Sequence, residues 1–429
     1  MMYNQQKGLR RHLNADITTK TKLAFPEHAS QSGICSICTR DAMCEIGRKA
    51  REGRALFPEP FGVAQFGAEK RLPNLEDLQI IPELYGSGVI FKQVSTETEI
   101  GGFRVKVPVS ISALGSTKVA HSQGEVLAKG AAKAGIPMVV GESVLPSYGK
   151  KGLKERIAPY DENRTKYGAV VVQGNPHDIS QRVFEEGKSL GADAIEIKLG
   201  QGAKQNLGGE VTITGEREAK RYEKLGYTLI KNPDGSYQRH ASPGDIAEEE
   251  LRELMVKKAE LGLPIWVKVG MGHGIIKLIG MLERIRKEQG IPLKCLTIDG
   301  FGGGTGMSPW LVMNETSLPS GSVFAAMHSK ADFDIMLAGG YNTGFDIAKG
   351  MMLGADAVAM GRAFMIAGAE KEKGIVNFVK ALQEEIQIVC AVQKAHSVKE
   401  LKGRRKNLYA LSEEAERLFG ISRKPEEVL

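Results

Sequence analysis

A chain of 429 residues has room for one large α/β domain or two domains of ordinary size. Its 42% hydrophobic and 25% charged residues are typical of a globular protein with a substantial core. The net charge of +7 is modest and basic residues are interspersed with acidic ones, so nucleic-acid binding is not expected. No apolar run reaches membrane-spanning length, and residues 1–20 lack the apolar centre of a signal peptide. We therefore expect a cytoplasmic protein that does not associate with membranes.

Residues 1–60 are predicted to form an N-terminal extension, separate from a domain that covers residues 61–429. The extension contains three cysteines with the spacing C-x2-C-x5-C, namely Cys35, Cys38 and Cys44. Three thiolates at this spacing could hold an iron–sulfur cluster, with a fourth ligand from elsewhere or with none. Zinc is the competing metal, with His12 or His28 as a fourth ligand, and three reduced thiols are the remaining alternative. The odd total of five cysteines argues against a disulfide framework.

From residue 105 onward, short apolar segments alternate with helical patterns, as in βα units around a parallel sheet. The eight predicted strands cover residues 105–110, 137–140, 168–172, 194–199, 265–269, 295–298, 335–338 and 357–360. Most are followed by glycine or serine and then by an amphipathic helix, such as the one predicted at residues 275–288. The count of eight favours a (β/α)8 TIM barrel. A doubly wound open sheet is the alternative, because counting strands cannot show closure.

One connection is much longer than the others, since residues 201–245 separate the fourth strand from its helix. Loops of this length in compact domains are usually functional lids or disordered inserts. Lys198, Gln201 and Lys204 stand at the start of this insertion, directly after a strand. Two ammonium groups and an amide could hold an anionic substrate against a flat cofactor. We therefore interpret the insertion as a lid over a substrate site.

The last two strands are each followed by a candidate phosphate site. Gly339 and Gly340 come directly after the seventh strand, and Gly361 and Arg362 directly after the eighth. Backbone N–H groups at a helix N-terminus bind phosphate, and an arginine adds a charged donor. Two such sites in sequence are typical of the phosphate site of a βα barrel.

Several of these ordered loops resemble the FMN-binding domain of glutamate synthase. The segment DAIEIKLGQGAKQNLGGEV at residues 193–211 resembles that family's loop after the fourth strand, and residues 302–309 resemble its DGGTGASP loop. The loop SALGS after the first strand and the lysine of IWVKV also match, and the resemblance covers roughly residues 105–400. It implies FMN as the cofactor. The implied cofactor-binding residues are Ala113, Ser116, Gln173, Lys268, Gly303, Gly304, Thr305, Gly339, Gly340, Gly361 and Arg362.

The resemblance also implies a reaction, the reduction by FMN of a 2-imino acid derived from 2-oxoglutarate or a similar 2-oxo acid. Lys268 would stabilise the negative charge of the reduced flavin, and Glu142 or a bound water would transfer protons. The implied substrate ligands are Lys198, Gln201, Lys204, Glu210 and Arg221, with Arg217 as the alternative arginine. Electrons would come from ferredoxin or an NAD(P)H-oxidising flavin subunit, and ammonia would come free or from a separate glutamine amidotransferase subunit. A homo-oligomer is expected.

The sequence also departs from the family pattern. Gly302 stands where the family has Asp, the family's cysteine cluster after the eighth strand is missing, and Glu210 replaces a glutamine. No cysteine precedes Cys35, so we expect no glutaminase activity. These departures bear on 2-oxoglutarate specificity more than on FMN binding. The alternatives are an FMN-dependent isomerase of the isopentenyl diphosphate isomerase type, and a flavin subunit that only relays electrons.

Overall fold

The computed structural model describes residue 53 and residues 73–202, 210–213, 215–224, 227–231, 235–240, 247–300 and 329–424. The strands within these ranges are β1 (Leu78–Ile80), β2 (Thr98–Ile100), β3 (Phe103–Val105), β4 (Val109–Leu114), β5 (Met138–Val140), β6 (Val170–Gly174), β7 (Ala194–Lys198), β8 (Glu210–Ile213), β9 (Thr228–Lys231), β10 (Tyr237–His240), β11 (Ile265–Gly270), β12 (Leu293–Asp299), β13 (Asp334–Ala338), β14 (Ala357–Met360) and β15 (Leu408–Ala410). The α-helices are α1 (Lys118–Ala134), α2 (Val144–Glu162), α3 (Pro176–Ser180), α4 (Val183–Ser189), α5 (Glu216–Lys224), α6 (Glu248–Ala259), α7 (Ile275–Gln289), α8 (Gly344–Met352), α9 (Arg362–Ala367), α10 (Lys371–Val392) and α11 (Glu413–Phe419). None of the helices described is long and apolar enough to cross a membrane.

Eight parallel strands close into a barrel in the order β4-β5-β6-β7-β11-β12-β13-β14, with β14 pairing back to β4. This confirms the predicted (β/α)8 barrel and excludes the open sheet. Successive residues of each strand point to opposite faces of the barrel wall, and both faces pack against other buried side chains. One face contacts the surrounding helices and the other fills the barrel interior.

The first barrel strand is displaced from its prediction. It was expected at residues 105–110, but β4 covers Val109–Leu114 and Val105 ends the preceding hairpin β2–β3. The reason is that Val105, Val107 and Val109 alternate with other residues as a strand would, and all three are fully buried. Periodicity alone could not distinguish the hairpin from the barrel strand that follows it.

The hairpin β2–β3 closes the barrel at the N-terminal ends of its strands. Its residues Ile100 and Val105 belong to the same buried cluster as Trp266, a fully buried residue of β11. Trp266 donates a hydrogen bond from its ring N–H to the Gly101 carbonyl oxygen at 3.1 Å. Gly101 has φ +56, and a Cβ there would lie 2.2 Å from the Trp266 ring. Glycine is therefore required at this turn, and the floor of the barrel depends on it.

Replacing Gly101 with alanine is expected to lower the free energy of unfolding by roughly 1–3 kcal/mol, because the methyl group must displace a fully packed indole. Denaturant unfolding followed by tryptophan fluorescence would measure this. Gly262→Ala is the matched control, since Gly262 has a similar φ of +67 but nothing within 4 Å of the added Cβ. Equal losses in the two variants would show that backbone strain, and not contact with Trp266, limits the site.

The long insertion after β7 contains a small antiparallel sheet in the order β8-β10-β9, together with α5. Tyr222 and Tyr227 are buried between these elements. The Tyr222 hydroxyl donates to Ser147 Oγ at 3.2 Å, and the Tyr227 hydroxyl lies 3.5 Å from Ser143 Oγ. The insertion is therefore docked beside the loop that follows the second barrel strand. The predicted cysteine cluster of the N-terminal extension lies outside the described residues, so the domain division at residue 60 stays a prediction.

Candidate active site

The barrel interior changes from apolar to polar along the strand direction. Its lower part contains buried apolar side chains such as Ala194, Trp266 and Cys295. Two residues further along the same strands, the inward positions are Glu196, Lys268 and Thr297, and two of the next inward positions, Lys198 and Asp299, are polar again. The inward-facing polar residues are Ser112, Gln173, Glu196, Lys198, Lys268, Thr297 and Asp299. They lie at the carboxyl ends of the strands, where barrel enzymes place their chemistry.

Lys268 is an ion-paired ammonium inside this polar layer. The residue is 5% exposed, and its Nζ lies 3.2 Å from Asp299 Oδ2 and donates to Ser112 Oγ at 3.4 Å. Burial by itself would lower the pKa of Lys268, but the nearby Asp299 and Glu196 carboxylates outweigh it and raise the pKa. Lys268 is therefore a fixed positive charge in the barrel.

Glu196 occupies the neighbouring inward position of β7, and 1% of its surface is exposed. Its Oε2 accepts a hydrogen bond from Gln173 Nε2 at 2.6 Å, and its Oε1 accepts one from Thr297 Oγ1 at 2.8 Å. Burial raises the pKa of Glu196, while Lys268 and the two hydrogen bonds act in the opposite direction. The carboxylate links β6, β7 and β12 across the interior.

Lys198 lies one step closer to the barrel mouth and joins the strand-four loop to the strand-two loop. Its ammonium forms an ion pair with Glu142 and donates to Gln201 Oε1. Glu142 also accepts a hydrogen bond from Asn175 Nδ2 at 3.0 Å. An ammonium has three donors, and within the described residues two of those of Lys198 are used. The arrangement leaves one N–H for an anionic ligand.

The strand-two loop is held in a strained shape by a buried carboxylate. Ser143 has φ 62, a left-handed conformation that is uncommon outside glycine. Its amide donates to Asp178 Oδ2 at 2.9 Å, and the Asn175 amide donates to the same oxygen at 3.2 Å. Burial raises the pKa of Asp178 to about 7; the Ser143 amide opposes this rise and the nearby Glu142 carboxylate adds to it. Asp178 therefore supports the backbone that carries Glu142.

The wild type is expected to become less stable as pH rises, because Asp178 ionises. Replacing Asp178 with asparagine should abolish this pH dependence. The folded-state pKa of about 7 lies above the unfolded value of about 3.9, so this contribution is full below pH 4 and disappears as pH rises through 7. Asparagine keeps an oxygen acceptor for the Ser143 amide and does not titrate. Between pH 5 and 8 the wild type should lose at least about 1.4 kcal/mol more than the variant, the equivalent of one pKa unit. Urea unfolding at four pH values would test this, and parallel curves would contradict it.

The corner formed by the seventh and eighth strands contains an arginine whose terminal nitrogens have no partner among the described residues. The two terminal nitrogens of Arg362 are shielded from solvent and have no hydrogen-bond partner in the described chain. Burial lowers the pKa of Arg362 to about 9, and no nearby carboxylate compensates for it. A buried guanidinium left in this state is suited to binding an anion. Arg362 is the first residue of α9. The backbone N–H groups in the first turn of a helix point out of the helix along its axis.

The other half of this corner is the segment between β13 and α8. The sequence predicts free amides at a helix start, but the amides at the start of α8 already have partners. The amides of Asn342 and Thr343 at the start of α8 donate to Asp346 Oδ2, and the Gly344 amide donates to Glu385. The start of α8 is thus already capped. The remaining candidates are Gly339 and Gly340, with φ 100 and 93. A Cβ on Gly339 would lie 2.7 Å from the Gly300 carbonyl oxygen, so only glycine fits beside this loop.

The remaining predicted residues fall into two groups. Ala113 and Ser116 lie at the end of β4 and in its loop, and the Ser116 carbonyl accepts a hydrogen bond from Tyr148 at 2.9 Å. Arg221 lies on α5 and donates to the Pro146 carbonyl oxygen, on the docking side of the insertion. Glu210 begins β8. The predicted site residues that lie outside the described residues are Lys204, Gly303, Gly304, Thr305, Cys35, Cys38 and Cys44.

Sequence reasoning missed Glu196, Thr297 and the supporting Asp178. Glu196 and Thr297 could have been found from the sequence. Each lies in an apolar strand two residues before a polar site residue, Lys198 or Asp299, and residues two apart in a strand face the same side. Asp178 had no such signal, since its importance comes from a contact with Ser143, 35 residues earlier.

The fold and this site define a (β/α)8 barrel with a buried, ion-paired lysine in its interior and a buried arginine that lacks a partner among the described residues. The family model described as the conserved region in glutamate synthase matches residues 83–371. That match covers more than half of the chain, and the chain belongs to this family.

Relatives are consistent with this assignment. The chain is 24% identical to a glutamate synthase large subunit-like protein of Rhizobium meliloti over 76% of this chain and 70% of that protein. It is 27% identical to an archaeal-type glutamate synthase [NADPH] of Thermotoga neapolitana, over 64% of this chain and 51% of that protein. The match thus spans about half the length of that relative.

Two further similarities concern other barrel proteins. An isopentenyl-diphosphate delta-isomerase of Borrelia garinii is 27% identical over 75% of this chain and 83% of that protein. The structure of a flavocytochrome b2 mutant with pyruvate bound superposes with a TM-score of 0.53, at 18% identity, over 78% of this chain and 76% of that chain. This last likeness concerns the fold alone.

Proposed function

We propose that the chain is an FMN-dependent oxidoreductase of glutamate synthase type that reduces a 2-imino acid. Membership of the family supports this, and so does one observation above the others, the buried and unpartnered guanidinium of Arg362. It lies where a barrel binds a cofactor phosphate. Gly339, which allows no Cβ, completes a cradle that fits this group.

FMN, when bound, supplies the hydride. Arg362 and the Gly339–Gly340 backbone would hold its phosphate. Lys268 would place a positive charge beside the part of the ring that becomes negative on reduction, and Gln173 would meet the ring edge. The Lys268 ammonium stays charged because Asp299 and Glu196 raise its pKa.

Lys198 and Gln201 would bind the carboxylates of the substrate, together with Lys204, Glu210 and Arg221. The Lys198–Glu142 ion pair places a carboxylate next to this anion site. Glu142 is thus positioned to exchange a proton with a bound substrate, and Asn175 fixes its orientation through a hydrogen bond of 3.0 Å. We propose a 2-imino acid derived from 2-oxoglutarate, or from a similar 2-oxo acid, as that substrate.

The partners belong to this proposal as well. The electron donor is ferredoxin or an NAD(P)H-oxidising subunit, and ammonia comes free or from a separate amidotransferase subunit. The cysteine cluster of the extension would hold an iron–sulfur centre on the electron path. A homo-oligomer in the cytoplasm is proposed as the working form.

The second candidate is an FMN-dependent isomerase that catalyses no net redox reaction. The similarity to the Borrelia isomerase favours it. A diphosphate substrate would also suit Lys198, because an ammonium binds phosphate and carboxylate alike. Net oxidation of reduced flavin by 2-oxoglutarate with ammonia is expected only for the oxidoreductase.

FMN binding is the first test. The purified chain is expected to take up FMN, and Arg362→Ala should weaken this binding by roughly 1.5–3 kcal/mol, the effect of one charge-assisted hydrogen bond. Fluorescence titration of the flavin-free protein would measure it. Arg164→Ala is the control, because Arg164 pairs with Asp161 and Asp193 near the opposite end of the barrel. A wild-type protein that binds no FMN would refute the proposal.

A further inference from the structure

Glu196 is the residue around which the buried polar layer of the barrel is organised. Its two carboxylate oxygens each accept one hydrogen bond, from Gln173 on the strand before it and from Thr297 two strands after it. Lys268 lies on the side away from Gln173 and is attracted to the same carboxylate. Neither the family match nor any role given above assigns a function to Glu196 itself.

The hydrogen bond from Gln173 determines which way its amide group points. A carboxylate accepts hydrogen bonds, so the amide must present its nitrogen to Glu196. The Gln173 carbonyl oxygen is then held on the other side, in a residue that is 2% exposed. That oxygen accepts no hydrogen bond from any other residue in the described part of the chain. It is not among the fully buried atoms that lack a partner, so it is accessible to a ligand that donates a hydrogen bond.

We propose that Glu196 is a positioning residue that aims the Gln173 carbonyl oxygen at the N3–H group of the flavin pyrimidine ring. This rests on the proposed FMN binding. The pyrimidine ring has one N–H donor, N3, and that donor is separated from N1 by a single carbonyl carbon. A ring with N1 beside Lys268 and its pyrimidine edge along β11, β7 and β6 would present N3 to Gln173, with Glu196 between the two residues. Thr297 holds the second carboxylate oxygen and prevents rotation of the Glu196 side chain.

The test compares FMN with 3-methyl-FMN, which lacks the N3–H donor. Dissociation constants are measured by flavin fluorescence on the flavin-free full chain. The wild type should prefer FMN by about 10-fold or more, the effect of one buried hydrogen bond. Glu196→Met keeps the unbranched stem without an acceptor and should reduce this preference below about 3-fold. Glu196→Gln retains an amide oxygen that can accept from Gln173, so it should keep most of the preference.

A second pair of variants separates positioning from a general structural effect. In the background of Gln173→Leu, Glu196→Met should change the preference no further, because both act on one hydrogen bond. Asp334→Asn is the matched control, since Asp334 is a carboxylate at the opposite end of the barrel that accepts from the Gly101 amide at 2.7 Å. It should leave the preference unchanged.

Three outcomes would overturn the inference. They are a Glu196→Met protein with the wild-type preference, a further loss in the Gln173→Leu background, and a wild type that binds both flavins equally. A wild type that binds neither flavin would instead reject the proposed function.

Discussion

Replacing Lys268 with methionine is expected to lower the free energy of unfolding by about 3–5 kcal/mol at neutral pH. The change removes the positive charge that lies 3.2 Å from Asp299 and close to Glu196. Both carboxylates are 1% exposed, so neither can be solvated in the folded protein. The cost arises mainly from the unpaired carboxylates, because methionine fills nearly the same volume as the lysine stem.

The loss caused by Lys268→Met should become smaller as pH falls. Burial already raises the pKa of Glu196, and Lys268 opposes that rise. Without Lys268, Glu196 has a still higher folded-state pKa, so the cost of ionising it is present at neutral pH and disappears on protonation. Denaturant unfolding at pH 7 and pH 5 should show a clearly smaller difference between variant and wild type at pH 5.

Lys402→Met provides the matched control for this experiment. Lys402 forms an ion pair with Asp356, but 48% of its side chain is exposed. An exposed pair contributes about 0–1 kcal/mol, so its removal should have little effect at either pH. A similar loss in the two variants would show that the contribution of the Lys268 pair to the free energy of unfolding does not depend on its burial.

Much of the fold was predictable because its signal is local. Seven of the eight barrel strands lie within a few residues of their predicted positions, since each is a short apolar run followed by a loop. The first strand was placed too early because Val105 and Val109 share one periodicity and belong to different sheets. Closure of the barrel depends on the pairing of β14 with β4, a contact between residues about 250 positions apart that no local pattern encodes.

The same limit applies to the candidate site. Lys198 and Lys268 could be predicted, because a lysine in an apolar strand has few structural explanations. Their partners could not, since the Lys198–Glu142 pair and the Ser143–Asp178 bond join different βα units. The capped start of α8 was also unpredictable, because part of its cap comes from Glu385 on α10. Sequence thus identified the charges at the barrel mouth but not the contacts that hold them.

Replacing Lys198 with methionine is expected to weaken binding of 2-oxoglutarate by about 2–5 kcal/mol, as for other buried charge pairs at binding sites. The variant loses the N–H that the structure leaves for a ligand, and it loses the ammonium that pairs with Glu142 at the proposed substrate site. FMN content should stay near that of the wild type, because the proposed phosphate ligand Arg362 begins α9, after the eighth barrel strand. Lys258→Met is the control. Lys258 lies on the outer helix α6, is equally buried and pairs with Glu185 at 2.8 Å. Titration of 2-oxoglutarate against the flavin spectrum measures the effect, and loss of flavin in Lys198→Met but not in Lys258→Met would make Lys198 a cofactor ligand.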